Sequence, residues 1–98
     1  MTTGTARRPA AITLVHATAC HFCDEAEEVL GELRGQYAIE VTLLHAESAA
    51  GAALLAEHRP AMYPLVLVDG AYFSYGRLSR KKLVKHLDAL GARVTVGS

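Results

Sequence analysis

The run Ala11-Ile12-Thr13-Leu14-Val15-His16-Ala17-Thr18-Ala19-Cys20-His21-Phe22-Cys23 changes its hydrophobic period partway along. Ala11 to Val15 are apolar or β-branched and follow Pro9, as expected of a buried central strand. From His21 the period lengthens: Phe22, Ala26, Val29, Leu30 and Leu33 recur at spacings of three and four, the pattern of one buried helix face, and Gly35 supplies a stop. Downstream, Ile39, Val41 and Leu43 alternate with Glu40, Thr42 and Leu44 as a second strand. Residues 48–58 form an Ala/Leu-rich helix that Ser48 can cap and Pro60 ends.

Leu65-Val66-Leu67-Val68 is a further apolar run. Asp69-Gly70 followed by Ala71-Tyr72-Phe73 signals a hairpin, so strands three and four are expected to be antiparallel. Ser79 caps a last helix through about Leu90, with Leu83, Leu87 and Leu90 inward and Arg80, Lys81, Lys82 and Lys85 outward. Gly91 ends it, and Arg93 to Val96 read as a short strand or an ordered extension.

Two strands joined by a helical crossover must be parallel, so the element order predicts an α/β fold: a mixed four-stranded sheet flanked by three helices. A chain of 98 residues is expected to be one domain, spanning 9–98 after a disordered segment over 1–8. Such a length buries roughly 60 to 65% of the surface of the unfolded chain. The hydrophobic share of 51% against 20% charged suits a packed core and argues against intrinsic disorder.

Ten basic and ten acidic residues cancel, which removes the overall field that drives nonspecific nucleic-acid binding. The halves differ. Residues 1–57 hold three basic and eight acidic groups, a net of −5, and residues 58–98 hold seven and two, a net of +5. That basic end is either a solvated helix face or a surface that steers an anionic partner. Arg7, Arg8 and the small residues Ala17-Thr18-Ala19 imitate an export signal, but the apolar run from Ala10 to Val15 falls short of the ~7–15 residues that a signal core needs. No stretch approaches the ~20 apolar residues of a membrane span. The expectation is a cytoplasmic monomer that engages neither membrane nor nucleic acid.

Two cysteines spaced Cys20-His21-Phe22-Cys23 between a strand and a helix read as a redox pair. Zinc would need four ligands, of which this spacing supplies two, and a pair of inert core thiols is the plainer alternative. Position favours redox chemistry. Cys20 stands at a helix start, where unpaired N–H groups and the helix dipole stabilise a thiolate, so it is the candidate nucleophile. Cys23, one turn further in, is the candidate resolving thiol. His21 is a candidate modulator of the Cys20 pKa, opposed by Asp24, Glu25, Glu27 and Glu28, which also suit a first helical turn and a solvated face. His16, His45, His58 and His86 are expected at the surface or the core edge.

The motif Cys20-His21-Phe22-Cys23, together with Met62-Tyr63-Pro64 before the third strand and the turn Tyr75-Gly76-Arg77 before the last helix, resembles the glutaredoxin-like branch of the thioredoxin superfamily. The likeness covers about residues 11–90. It implies a thioredoxin-like, glutaredoxin-type fold and a dithiol thiol-disulfide oxidoreductase that reduces protein or low-molecular-weight disulfides. It also implies that Pro64 is cis and faces the cysteine pair. Tyr63 would then offer its backbone to an extended substrate, with Gly76 and Arg77 completing a substrate-binding rim.

No tightly bound cofactor and no metal is implied. Glutathione or another low-molecular-weight thiol is one candidate electron donor, and a protein reductase is the other. Ala17 stands where the family usually has lysine, Tyr75-Gly76 replaces Gly-Gly, and Leu78 or Ser79 replaces an acidic residue. These differences weigh against tight glutathione binding and leave Arg77 or Arg59 to hold a carboxylate. Ser74-Tyr75-Gly76-Arg77 is also similar to a turn of the redoxins that serve ribonucleotide reductase and are reduced by thioredoxin reductase. A carrier of a shared [2Fe–2S] cluster is the alternative from another class.

Overall fold

A computed structural model describes residues 9–92. The expected disorder over 1–8 and the expected strand or extension over Arg93 to Val96 lie outside the described residues. In chain order the elements are β1 (Ala10–His16), α1 (His21–Leu33), β2 (Ile39–His45), α2 (Ala49–His58), β3 (Leu65–Val68), β4 (Ala71–Tyr75) and α3 (Arg80–Ala89).

The strands form one sheet in the order β2-β1-β3-β4. β1 runs parallel to β2, from Ala10 opposite Ile39 to His16 opposite His45, and antiparallel to β3, with Ile12 opposite Val68. The crossover through α1 forces the first relation. The Asp69-Gly70 turn fixes the hairpin between β3 and β4: φ is 51° at Asp69 and 81° at Gly70, the left-handed pair that a type I′ turn requires. Asp69 also anchors the start of β1, donating its N–H to the Ala11 carbonyl at 2.7 Å and accepting the Ala11 N–H on Oδ1 at 2.9 Å.

Alternation along the central strands sends side chains to two cores. Ile12 and Leu14 of β1 and Val66 and Val68 of β3 pack with Leu30 and Leu33 of α1 and Leu83 and Leu87 of α3. On the opposite face Val15, Leu65 and Leu67 meet Leu54 and Leu55 of α2. The larger core therefore underlies the cysteine helix. Tyr37, buried to 1% exposure, closes the α1–β2 connection over that core and donates its hydroxyl to Asp88 Oδ1 at 3.0 Å.

Three expectations need correction. Leu90 was expected on the inner face of α3, yet the helix ends at Ala89 and Leu90 is 41% exposed. Gly91, at φ 71°, redirects the chain, and Ala92 is buried instead, its carbonyl accepting the Ala38 N–H at 2.8 Å. Leu43 was expected to alternate inward with Ile39 and Val41 but is 46% exposed, because β2 is an outer strand whose far end is incompletely covered. Gly35 does not itself end α1, whose C-cap is Arg34 in the right-handed conformation.

A feature of β4 has no signature in the sequence. Ser74 pairs with Val66 and Tyr72 with Leu67, which leaves Phe73 as an extra residue in a bulge. The slip puts Tyr72 and Tyr75 opposite Leu67 and Leu65, on the α2 side, while Phe73 packs toward the larger core and lies beside the His86 ring. No described helix is long and apolar enough to cross a membrane.

Candidate functional site

β1 delivers the chain to the cysteines through a short loop. Ala19, at φ 55°, adopts a left-handed conformation uncommon for a residue with a side chain, and turns the backbone into α1. Thr18 steadies the turn: its Oγ1 lies 3.2 Å from His45 Nε2, while His45 Nδ1 accepts the Glu47 N–H at 3.0 Å. Accepting on Nδ1 leaves the proton of a neutral imidazole on Nε2, so His45 donates to Thr18. The His16 ring meets His45 edge-on at 5.3 Å.

Cys20 is the N-cap of α1, with extended backbone dihedrals (φ −109°, ψ 105°). Its Sγ accepts the Cys23 N–H at 3.1 Å, the bond that a serine or aspartate side chain makes at an ordinary cap. The two cysteines are joined as a disulfide with Cα atoms 5.2 Å apart. Cys23 is 2% exposed and faces the core, whereas Cys20 is only partly buried. One sulfur is therefore reachable and held at the positive end of a helix, and the other is sheltered behind it.

A chain of contacts runs from this helix start to the turn before α3. His21 Nε2 lies 2.9 Å from Glu25 Oε2, and Glu25 Oε1 lies 3.2 Å from Arg77 Nε. Next to Arg77, Gly76 is buried at φ 78°, a conformation suited to glycine, and donates its N–H to the Pro64 carbonyl at 3.0 Å. The Tyr63–Pro64 bond is cis and Pro64 is buried, while Met62 and Tyr63 are 49% and 39% exposed. A second ion pair, Arg80 with Glu32, ties α3 to α1 further along. Two cations of the basic half thus meet carboxylates of the acidic half, and the charge asymmetry of the sequence closes partly on itself. Among the described residues, no group of three or more His, Cys, Asp or Glu side chains could hold a metal ion.

No protein-family model matches the sequence, and no curated protein does either. Among solved structures, the chain is similar to a mutant thioredoxin from Halobacterium salinarum NRC-1, with a TM-score of 0.64 and 17% identity, over 90% of this chain and 80% of that one. The fold is thioredoxin-like. At that identity the match speaks for architecture alone: three helices about a mixed four-stranded sheet, as the order of elements predicts.

On this thioredoxin-like frame, Cys20, His21 and Cys23 open α1, and Arg77, which follows Gly76, connects to His21 through Glu25. Pro64 joins through Gly76, and Tyr63 precedes it with an exposed side chain. Arg59 stands apart as the left-handed C-cap of α2 (φ 47°), its N–H donated to Leu55. Two participants escaped the sequence reading. The sequence places Glu25 either against the effect of His21 on Cys20 or on a solvated face, and misses its pairing, although a spacing of four from His21 is a legible signal. The bond between Thr18 and His45 joins separate elements and leaves no local signal.

Proposed function

We propose that this chain is a glutaredoxin-like dithiol thiol-disulfide oxidoreductase with Cys20 as nucleophile and Cys23 as resolving thiol. The observation that carries the proposal is the Cys20 cap, in which a partly exposed sulfur accepts the Cys23 N–H at the N-terminus of α1. The same N–H and the helix dipole favour a thiolate there once the pair is reduced.

The reaction balances without a cofactor. The Cys20 thiolate attacks one sulfur of a substrate disulfide, forming a mixed disulfide and expelling the first substrate thiolate, which takes up a proton. Cys23 then loses its proton and attacks Cys20 Sγ. The second substrate thiol leaves, and the Cys20–Cys23 disulfide remains. Two electrons have passed from the protein dithiol to the substrate, and a thiol donor or a protein reductase must return them.

In this reading the rim formed by Tyr63, Pro64, Gly76 and Arg77 receives the substrate, Tyr63 through its backbone. His21 tunes the Cys20 thiolate. With Ala17, Tyr75 and Leu78 at positions where the family carries glutathione contacts, the donor is a protein reductase or a low-molecular-weight thiol bound loosely. The cycle suits a monomer in a reducing compartment such as the cytoplasm.

Iodoacetamide at mildly acidic pH tests the assignment on the reduced protein: Cys20 should be alkylated much faster than Cys23, and equal, slow labelling of both would refute it. The variant Cys23→Ser should accumulate a mixed disulfide with substrate, a species visible by mass.

A further inference from the structure

Glu25 has both carboxylate oxygens committed, Oε2 toward His21 and Oε1 toward Arg77, at 2.9 and 3.2 Å. Its side chain is 33% exposed, against 80% for His21 and 71% for Arg77, so the acid is the enclosed member and the two basic groups form the outer rim. Among the described residues Arg77 is the guanidinium paired with a carboxylate in the first turns of the cysteine helix, and Arg80 pairs with Glu32 further along. A carboxylate carried in by a substrate therefore finds that guanidinium already countered by a carboxylate of the protein. It also meets the field of Asp24, Glu27 and Glu28 from the same helix.

We propose that Glu25 is a specificity-determining residue of this site: by holding Arg77 and His21 it disfavours disulfides that bear carboxylates and favours neutral or cationic ones. This rests on the oxidoreductase reading and names the substrate class for it. Disulfides flanked by lysine or arginine, or small aminothiol disulfides, are the matching chemistry, whereas glutathione disulfide, rich in carboxylates, is poorly matched. Because the ion pairs are exposed they are weak and exchangeable, so selection operates on encounter and docking rather than as an absolute block.

Reduced protein can be offered three probes at low ionic strength: the anionic dithiobis(nitrobenzoate), neutral hydroxyethyl disulfide and cationic cystamine. The readout is the ratio of the anionic to the cationic second-order rate. Glu25→Gln should raise that ratio roughly two- to fivefold, the scale of one exposed ion pair, and high salt should erase the difference. Arg77→Gln should lower the ratio by leaving Glu25 uncountered, and the double variant should return toward the starting value. Glu40→Gln removes an equal charge from an exposed position of β2 opposite Ala11, at the end of β1 away from the cysteines, and should leave the ratio near that of the parent chain.

Equal shifts in the Glu25 and Glu40 variants, or no shift in either, would overturn the assignment. If the parent chain reduces hydroxyethyl disulfide and the ratio still ignores Glu25, only this inference falls. Failure to reduce even the neutral probe would sink the oxidoreductase reading and this inference with it.

Discussion

The starts of α1, α2 and α3 are built alike and do different things. In each, the N-cap side chain accepts the N–H three residues on: Cys20 Sγ from Cys23 at 3.1 Å, Ser48 Oγ from Gly51 at 3.0 Å and Ser79 Oγ from Lys82 at 3.2 Å. At α2 and α3 the accepting atom is an oxygen with no chemistry to perform, and the bond serves the helix alone. At α1 a sulfur stands in the same geometry, so the device that satisfies an orphan N–H also steadies a negative charge on the sulfur. On the proposed reading, reactivity here is a cap in which one atom has been exchanged.

The sharpest way to break the comparison is to exchange the atom back. Cys20→Ser should reduce disulfide turnover to background while keeping α1 capped. Its unfolding free energy from urea titration should match that of the reduced parent to within about 1 kcal/mol, whereas a large stability loss would mean that the sulfur does more than cap.

The next largest effect is expected at α2, where the cap is wedged against the sheet. Ser48 Oγ donates to the His45 carbonyl at 2.7 Å as well as accepting from Gly51, and a Cβ added at Gly51 would stand 2.1 Å from that carbonyl oxygen. Gly51→Ala should therefore cost roughly 1–3 kcal/mol despite alanine's better helix propensity, read as a fall in Tm of several degrees. Ser48→Ala, which loses two bonds, should cost about 1–2 kcal/mol by denaturant titration. Ser79→Ala loses one bond at an exposed position and should cost about 0.5–1 kcal/mol, the smallest change of the series. If the two serine variants were equal, the tie from Ser48 to β2 would be carrying nothing.

Caps are local, and that is why the sequence shows them. Ser48 and Ser79 precede periodic apolar runs, Asp69-Gly70 lies between two of them, and the period change from Val15 to Phe22 marks the passage from β1 to α1. What stayed hidden depends on partners far along the chain. Glu25 looks like a solvated acid until Arg77 is brought beside it from more than fifty residues away. Tyr37 gives no hint that it will be buried over α3, and the outward position of Leu43 depends on β2 being an outer strand, which the sequence orders only through its neighbours. The exposure of Leu90 turns on a single residue at a helix end, the least legible feature of any helix.

Among the described residues β4 is the other outer strand, with no strand paired on its far side, and it carries Tyr72 and Tyr75, which are 51% and 44% exposed. Such a tyrosine-bearing border invites a neighbouring molecule to add its own strand and begin a fibril. The bulge at Phe73 works against that. A foreign strand that matched the spacing of Ala71 and Tyr72 would lose step at Phe73 and meet Ser74 and Tyr75 out of phase, so the longest regular template on this border is too short to seed a stack. The extra residue that sends two tyrosines to one face thereby also breaks the register that an added strand would need.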